Sequence, residues 1–302
     1  MEITSQPNVI DDAQKATNTL SAGYSPEDSQ ASVNDHFEVA ASDWERIYSD
    51  KTLRGRIYQD RLAITLQWIA QLHLGSAAHL LEVGCGAGFA TAALAKQGYC
   101  VDAVDSVPTM LDITSKRLGE TGAAERVRIV HADVRRLPMP NDSFDLVFAL
   151  GVLPWLDDPL AAVREMARVT RPGGYVLVTA DNSIHLEEIL DPVRLPILKP
   201  VRRYVASALR RAKLLSPPQA LKIQRHSPRE VDSMLSAVGL GKLQSVMLGF
   251  GPFTLCRQSL LSDTLGIKVH GLLQAAAHRN LPIVSSYGMQ YLALSTRRAR
   301  VQ

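Results

Sequence analysis

Cysteine is scarce in this chain: Cys85, Cys100 and Cys256 are the whole complement. An odd count of 3 in 302 residues makes no disulfide framework and points to a reducing, cytoplasmic setting. No apolar run approaches the roughly 20 residues of a membrane-spanning helix. The amino terminus, M-E-I-T-S-Q-P, lacks a basic region followed by an apolar one, so no secretory leader is expected. No cluster of His, Cys and carboxylates has ligand spacing, and no metal site is expected. Internal repeats are absent. Acids are missing altogether from Arg194 to Arg229, where 10 Lys and Arg stand, although the net charge of the whole chain is only +3. The first 50 residues compensate, with a net charge of −8.

The feature that organises the rest is His79 to Gly88, H-L-L-E-V-G-C-G-A-G. Leu80, Leu81 and Val83 read as a short buried strand. Gly84, Gly86 and Gly88 follow at alternate positions, and Phe89 to Gln97, rich in Ala and Leu, reads as a helix. Glycines allow a sharp turn and a close ligand approach, and the helix start offers unpaired N–H groups. The spacing is not the G-x-G-x-x-G of a dinucleotide turn, because position 89 is Phe. A second strand, Cys100 to Val104, leads into Asp105, at the distance where an acid binds a ribose diol. A third, Val127 to Val130, precedes His131-Ala132-Asp133-Val134.

The E-x-G-x-G-x-G pattern opened by Glu82 resembles the first motif of the Rossmann-like, S-adenosylmethionine-dependent methyltransferases. Leu137 to Pro159 and Ala167 to Thr179 resemble the fourth and fifth strands of the small-molecule branch, including the ubiquinone and menaquinone biosynthesis group. The resemblance spans Leu80 to about Ala180, a third of the chain. It implies an α/β fold with a seven-stranded sheet, mostly parallel with the last strand antiparallel, a helical N-terminal lid and C-terminal insertions. It implies S-adenosylmethionine as cofactor, with Glu82, Gly84, Gly86 and Gly88 at its methionine end. Asp105 is then assigned to the ribose, Asp133 to the adenine amino group and the Val134 backbone N–H to a ring nitrogen. Leu150 falls at the end of the fourth strand, beside the same ligand.

The expected organisation is a disordered tail over 1–35, a helical lid over 36–78 and a cofactor-binding core over 79–180. A basic helical insertion over 181–226 follows, then a last helix and strand pair with an inserted helix over 227–302. Ser42-Asp43-Trp44-Glu45 reads as a helix start, and Leu53 to Leu74 carries apolar residues at helical spacing. Trp44, Tyr48, Tyr58 and Arg61 are the lid residues of interest. Arg61 suits the cofactor's carboxylate, but a solvated Arg beside an aromatic packing stripe is the more ordinary reading. Ser227-Pro228-Arg229-Glu230 is a capping box.

Methyl transfer needs alignment, exclusion of water and, for a protonated nucleophile, a base. His185, just beyond the fifth strand, is the candidate, followed by Asp181, His36 and Tyr58. Resembling enzymes that methylate nucleobase amino groups carry [D/N]-P-P-[F/Y/W] after the fourth strand, where Ala149-Leu150-Gly151-Val152 stands here. Those acting at a pyrimidine carbon use a Pro-Cys pair, and this chain has none. Pro154 and Trp155 occupy the place where the family often has two histidines. The acceptor is expected to be a small molecule methylated on oxygen, with an RNA or protein substrate, or a non-catalytic binding role, as alternatives. The run Arg194 to Arg229 admits a solvated face, an attractor for an anionic or lipid-linked acceptor with peripheral membrane contact, or a nucleic-acid patch. Tyr204 is its only aromatic residue, which ranks nucleic acid last.

Overall fold

The computed structural model describes residues 26–75, 77–190, 204, 221, 223–255, 258–282 and 284–298. Seven strands make one sheet: β1 (His79–Val83), β2 (Cys100–Asp105), β3 (Val127–His131), β4 (Phe144–Ala149), β5 (Thr170–Asp181), β6 (Leu240–Leu248) and β7 (Gln290–Arg297). Their order is β3-β2-β1-β4-β5-β7-β6. The first five pair in parallel, whereas β7 runs antiparallel to both β5 and β6. The expected sheet is therefore the one observed.

Side chains of successive strand residues alternate between faces, and here both faces are covered by helices. Leu81, Val83, Val147 and Val176 pack on one side against α5 (Pro159–Val169) and α7 (Pro228–Ala237), through Val163, Met166, Val231 and Leu235. Leu80, Leu146, Phe148 and Leu177 pack on the other against α2 (Leu53–Gln71) and α3 (Phe89–Lys96), through Trp68, Ile69 and Leu94. This two-sided burial explains why β1 and β4 read as continuous apolar runs rather than alternating ones. Each such Leu or Phe, fully withdrawn from water, contributes about 1.5–3 kcal/mol. The capping box of α7 forms as the sequence reads: Ser227 Oγ accepts from Glu230 N at 3.3 Å, and Glu230 Oε2 accepts from Ser227 N at 2.6 Å.

The amino-terminal boundary is a correction. The helix α1 runs Pro26–Arg46, so residues 26–35 are helical rather than part of a disordered tail. Val33, Phe37, Ala41 and Trp44 recur at helical spacing; Val33 is buried, and the other three pack around Val107, the N-cap of α4 (Pro108–Thr121), and Met110 in its first turn. A polar composition hid that stripe. Ser42 to Glu45, expected to open a helix, lies near its end. Residues 1–25, most of the basic helical insertion expected over 181–226 and most of the basic run lie outside the described residues. A short α6 (Leu186–Leu190) follows β5.

The β6–β7 connection carries a small hairpin, Thr254–Leu255 with Gln258–Ser259, and then α8 (Asp263–His278). Gln274 of α8 accepts from Gly249 N at 3.1 Å and donates to Met247 O at 3.0 Å. His270 Nδ1 accepts from Phe250 N at 3.1 Å, which leaves Nε2–H to donate to Asp60 Oδ2 of α2 at 3.0 Å. Asp263 Oδ1 accepts from Leu53 N at 2.9 Å. The insertion is thus fastened both to the sheet and to α2.

Candidate active site

Strand order reverses between β1 and β4, and ligands in such sheets bind beyond the carboxyl ends of the strands at that point. A cleft lies there, about 1230 Å³ including its open mouth. Glu82, Gly84, Gly86, Asp105, Asp133, Val134 and Leu150, all expected in the site, line it together. Residues of α1, α2 and the turn between them cover it, among them Asn34, Tyr48, Tyr58 and Arg61.

The turn after β1 is held by Gly84 N and Cys85 N, which donate to Val104 O at 2.7 and 3.0 Å. All three motif glycines have positive φ, but they serve different ends. A Cβ on Gly86 would meet nothing within 4 Å, so its face of the turn is open to a ligand. A Cβ on Gly88 would stand 2.7 Å from Thr114 Oγ1 in α4. Gly88 does not line the cleft; it is the left-handed N-cap of α3 and lets α3 approach α4. Gly88 thus has a packing role between the two helices.

Glu82 is buried, with Thr91 Oγ1 donating to Oε2. Burial pushes its carboxyl up to about 8, against the opposing pull of the Thr91 hydrogen bonds; Asp105 adds to the rise and Arg61 reduces it. Asp105 accepts from Gly86 N at 2.8 Å through Oδ2 and from Val107 N at 3.0 Å through Oδ1. Burial raises its pKa despite these bonds, and each oxygen keeps a lone-pair direction for a diol. Asp133 caps the turn at Val134, accepting from Arg135 N at 2.8 Å and pairing with the Arg135 guanidinium. Burial alone would raise the Asp133 carboxyl, but the hydrogen bonds from Arg135 bring it below its ordinary value.

Arg61 is buried to 4% exposure, so the solvated reading is overturned. Its Nη2 donates to Tyr48 Oη at 2.8 Å, and its guanidinium stands 4.6 Å from the Tyr58 ring centre. Its Nε has no hydrogen-bond partner among the described residues. Burial would lower the guanidinium's pKa; Tyr48, Tyr58 and Asp181 more than restore it. His185 is buried but does not line the cleft. Asp181, at the end of β5, does, with His185 close enough for its charge to act on Asp181. His36 is stacked on Trp155 at 5.6 Å, and burial lowers its pKa. Sequence reasoning missed Asn34 and Gln290. The helical stripe through Val33 and Phe37 was a usable signal for the first; nothing local marks the second.

These groups fit an amino-acid-bearing nucleoside. Arg61 offers an unsatisfied donor to a carboxylate, Glu82 is an acid without a cation, and Asp105 and Asp133 stand apart along the same cleft.

Residues 81–178 match the family model described as a methyltransferase domain. The chain is 35% identical over 112 residues to a malonyl-[acyl-carrier protein] O-methyltransferase of Serratia marcescens, covering 37% of this chain and 42% of that one. It is 29% identical over 154 residues to a ubiquinone biosynthesis O-methyltransferase of Pseudomonas paraeruginosa, covering 49% and 64%. The chain thus spans less than two thirds of the length of these relatives. Among solved structures, magnesium protoporphyrin IX methyltransferase from Synechocystis PCC 6803 with bound SAH superposes with a TM-score of 0.60. That match is 16% identical and covers 89% of this chain and all of the other, which speaks for the fold. Among the described residues no helix is long and apolar enough to cross a membrane.

Proposed function

We propose that this chain, whose residues 81–178 are a methyltransferase domain of the Rossmann-like, S-adenosylmethionine-dependent class, methylates an oxygen of a small-molecule acceptor in the cytoplasm. The observation that carries the reading is the convergence of Arg61, Glu82, Asp105 and Asp133 on one cleft at the sheet's reversal point. When bound, S-adenosylmethionine supplies a methyl carbon already activated by its sulfonium. The protein's task is then to bind, orient and keep water out.

Arg61 holds the carboxylate of the methionine end, and Glu82 its ammonium. Asp105 accepts from the ribose hydroxyls, and the Asp133–Val134 turn reads the adenine edge. Leu150 and Val152 give the apolar floor. Asp181 is the group in reach of an acceptor proton, because it faces the cleft while His185 stands outside the lining. His185 is retained as a positioning residue acting through Asp181. The basic run from Arg194 to Arg229 is assigned to an anionic or lipid-linked part of the acceptor remote from the reacting oxygen, with peripheral membrane contact; sedimentation with anionic vesicles tests this.

Isothermal titration with S-adenosylmethionine is the first test. Asp105→Ala and Asp133→Ala should each weaken binding about 10- to 100-fold, from the loss of charge-assisted hydrogen bonds worth roughly 1.5–3 kcal/mol. Silent heats at high protein concentration refute the cofactor site. Transfer of labelled methyl to a metabolite extract tests the acceptor class, and label appearing only in RNA or protein refutes a small molecule.

A further inference from the structure

One polar end of the cleft has no part in the cofactor assignment proposed above. β5 ends at Asp181 and β7 begins at Gln290, and antiparallel pairing sets the two directly opposite each other. Both line the cleft. Gln290 Nε2 donates to Asp181 Oδ1 at 3.1 Å. Gln290 is only 8% exposed, yet its Oε1 has no hydrogen-bond partner among the described residues. A buried amide oxygen left without a donor costs about 1–3 kcal/mol. Flipping the amide does not relieve this, since it would set the oxygen against an ionised Asp181. The end of the cleft therefore presents acceptor oxygens that await a hydrogen.

Charge points the same way. Glu82, Asp105, Asp133 and Asp181 all face the cleft, and Arg61 is the one cation among its described lining residues. Arg61 is committed to the cofactor's carboxylate in the reading above. Nothing in the described lining is then left to neutralise a second carboxylate. The walls are aromatic: Trp155 is stacked with His36 at 5.6 Å and meets Phe37 edge-on at 4.9 Å. Flat apolar bodies pack well on such faces.

We infer that the Asp181–Gln290 pair is the acceptor subsite, taking a neutral hydroxyl carried on a flat apolar body and rejecting a carboxylate. The hydroxyl's one hydrogen points between Asp181 and Gln290 Oε1 and is shared by the two acceptors. The neutral reacting group is compatible with an anionic handle elsewhere on the acceptor. This inference rests on the cofactor assignment above and narrows it.

The test uses the full chain saturated with S-adenosylhomocysteine and titrated with 2-naphthol and 2-naphthoate. 2-Naphthol should bind at least tenfold more tightly than 2-naphthoate. Gln290→Leu should weaken 2-naphthol about 5- to 20-fold, and Asp181→Asn should narrow the preference by admitting 2-naphthoate. S-adenosylhomocysteine affinity should stay within about twofold in both. Equal affinity for the two probes in the unaltered protein, or no binding of 2-naphthol, overturns the inference without recourse to either variant. Failure of S-adenosylhomocysteine to bind refutes the cofactor assignment instead.

Discussion

Cofactor binding should expel a proton from Glu82. In the free protein its carboxyl is pushed up to about 8, chiefly by burial. At pH 7 it is therefore about nine-tenths protonated, whereas an ordinary glutamate is ionised. An ammonium group placed beside it favours the charged form, so binding at pH 7 should release close to one proton. Affinity should rise about tenfold per pH unit from pH 6 to 7 and level off above 8. Calorimetry in phosphate and in Tris, whose ionisation enthalpies differ, measures the number of protons directly. Glu82→Gln removes the group and should flatten both effects. Its amide carbonyl still accepts from Thr91, so the packing is preserved. The same shift acts on stability. A carboxyl whose folded pKa exceeds its unfolded one contributes fully below the ordinary value of 4.5, and the contribution fades as pH climbs through about 8. The full swing is on the order of 5 kcal/mol. The melting temperature of the parent should thus fall relative to Glu82→Gln between pH 5 and 8. Zero proton release at pH 7, together with pH-independent affinity, refutes the reasoning.

Gly88→Ala should destabilise by about 2–4 kcal/mol in urea unfolding, combining left-handed strain with the clash against Thr114. Cofactor affinity of the folded fraction should stay unchanged, in contrast with the site acids. Asp181→Asn should lower turnover about 10²- to 10⁴-fold while leaving S-adenosylmethionine affinity within twofold. In the parent, turnover should fall as pH drops through the Asp181 pKa, which burial sets above the usual carboxylate value. His270→Ala leaves Phe250 N–H without its acceptor and should cost about 2–3 kcal/mol by thermal unfolding.

Much of the core was legible because its signals are local. Glu82, Asp105 and Asp133 each lie at or within two residues of a strand's carboxyl end, and a parallel sheet brings strand ends to one side whatever the helices do. Leu150 and Val134 followed for the same reason. Four residues were less legible, for the opposite reason. Gln290 reaches the site only because β7 returns beside β5 after a long insertion, and no neighbour in sequence announces that. Arg61 lies on a helix whose polar face ordinarily meets water; its burial comes from Tyr48 and the cleft it covers. His185 sits close after β5 but is buried outside the cleft lining, near enough to act on Asp181. Gly88 was placed at the methionine end of the cofactor, and its demand for glycine comes from α4, an element further along the chain that the turn's own pattern does not reveal.

The link between His270 and Asp60 clamps the β6–β7 excursion onto the helix that carries Arg61. Asp60 and Arg61 are consecutive on α2 and so point to different sides of it. One side of the helix is therefore braced by α8 while the next residue serves the cleft, and a chain trimmed between β6 and β7 would lose that brace with every motif residue left in place.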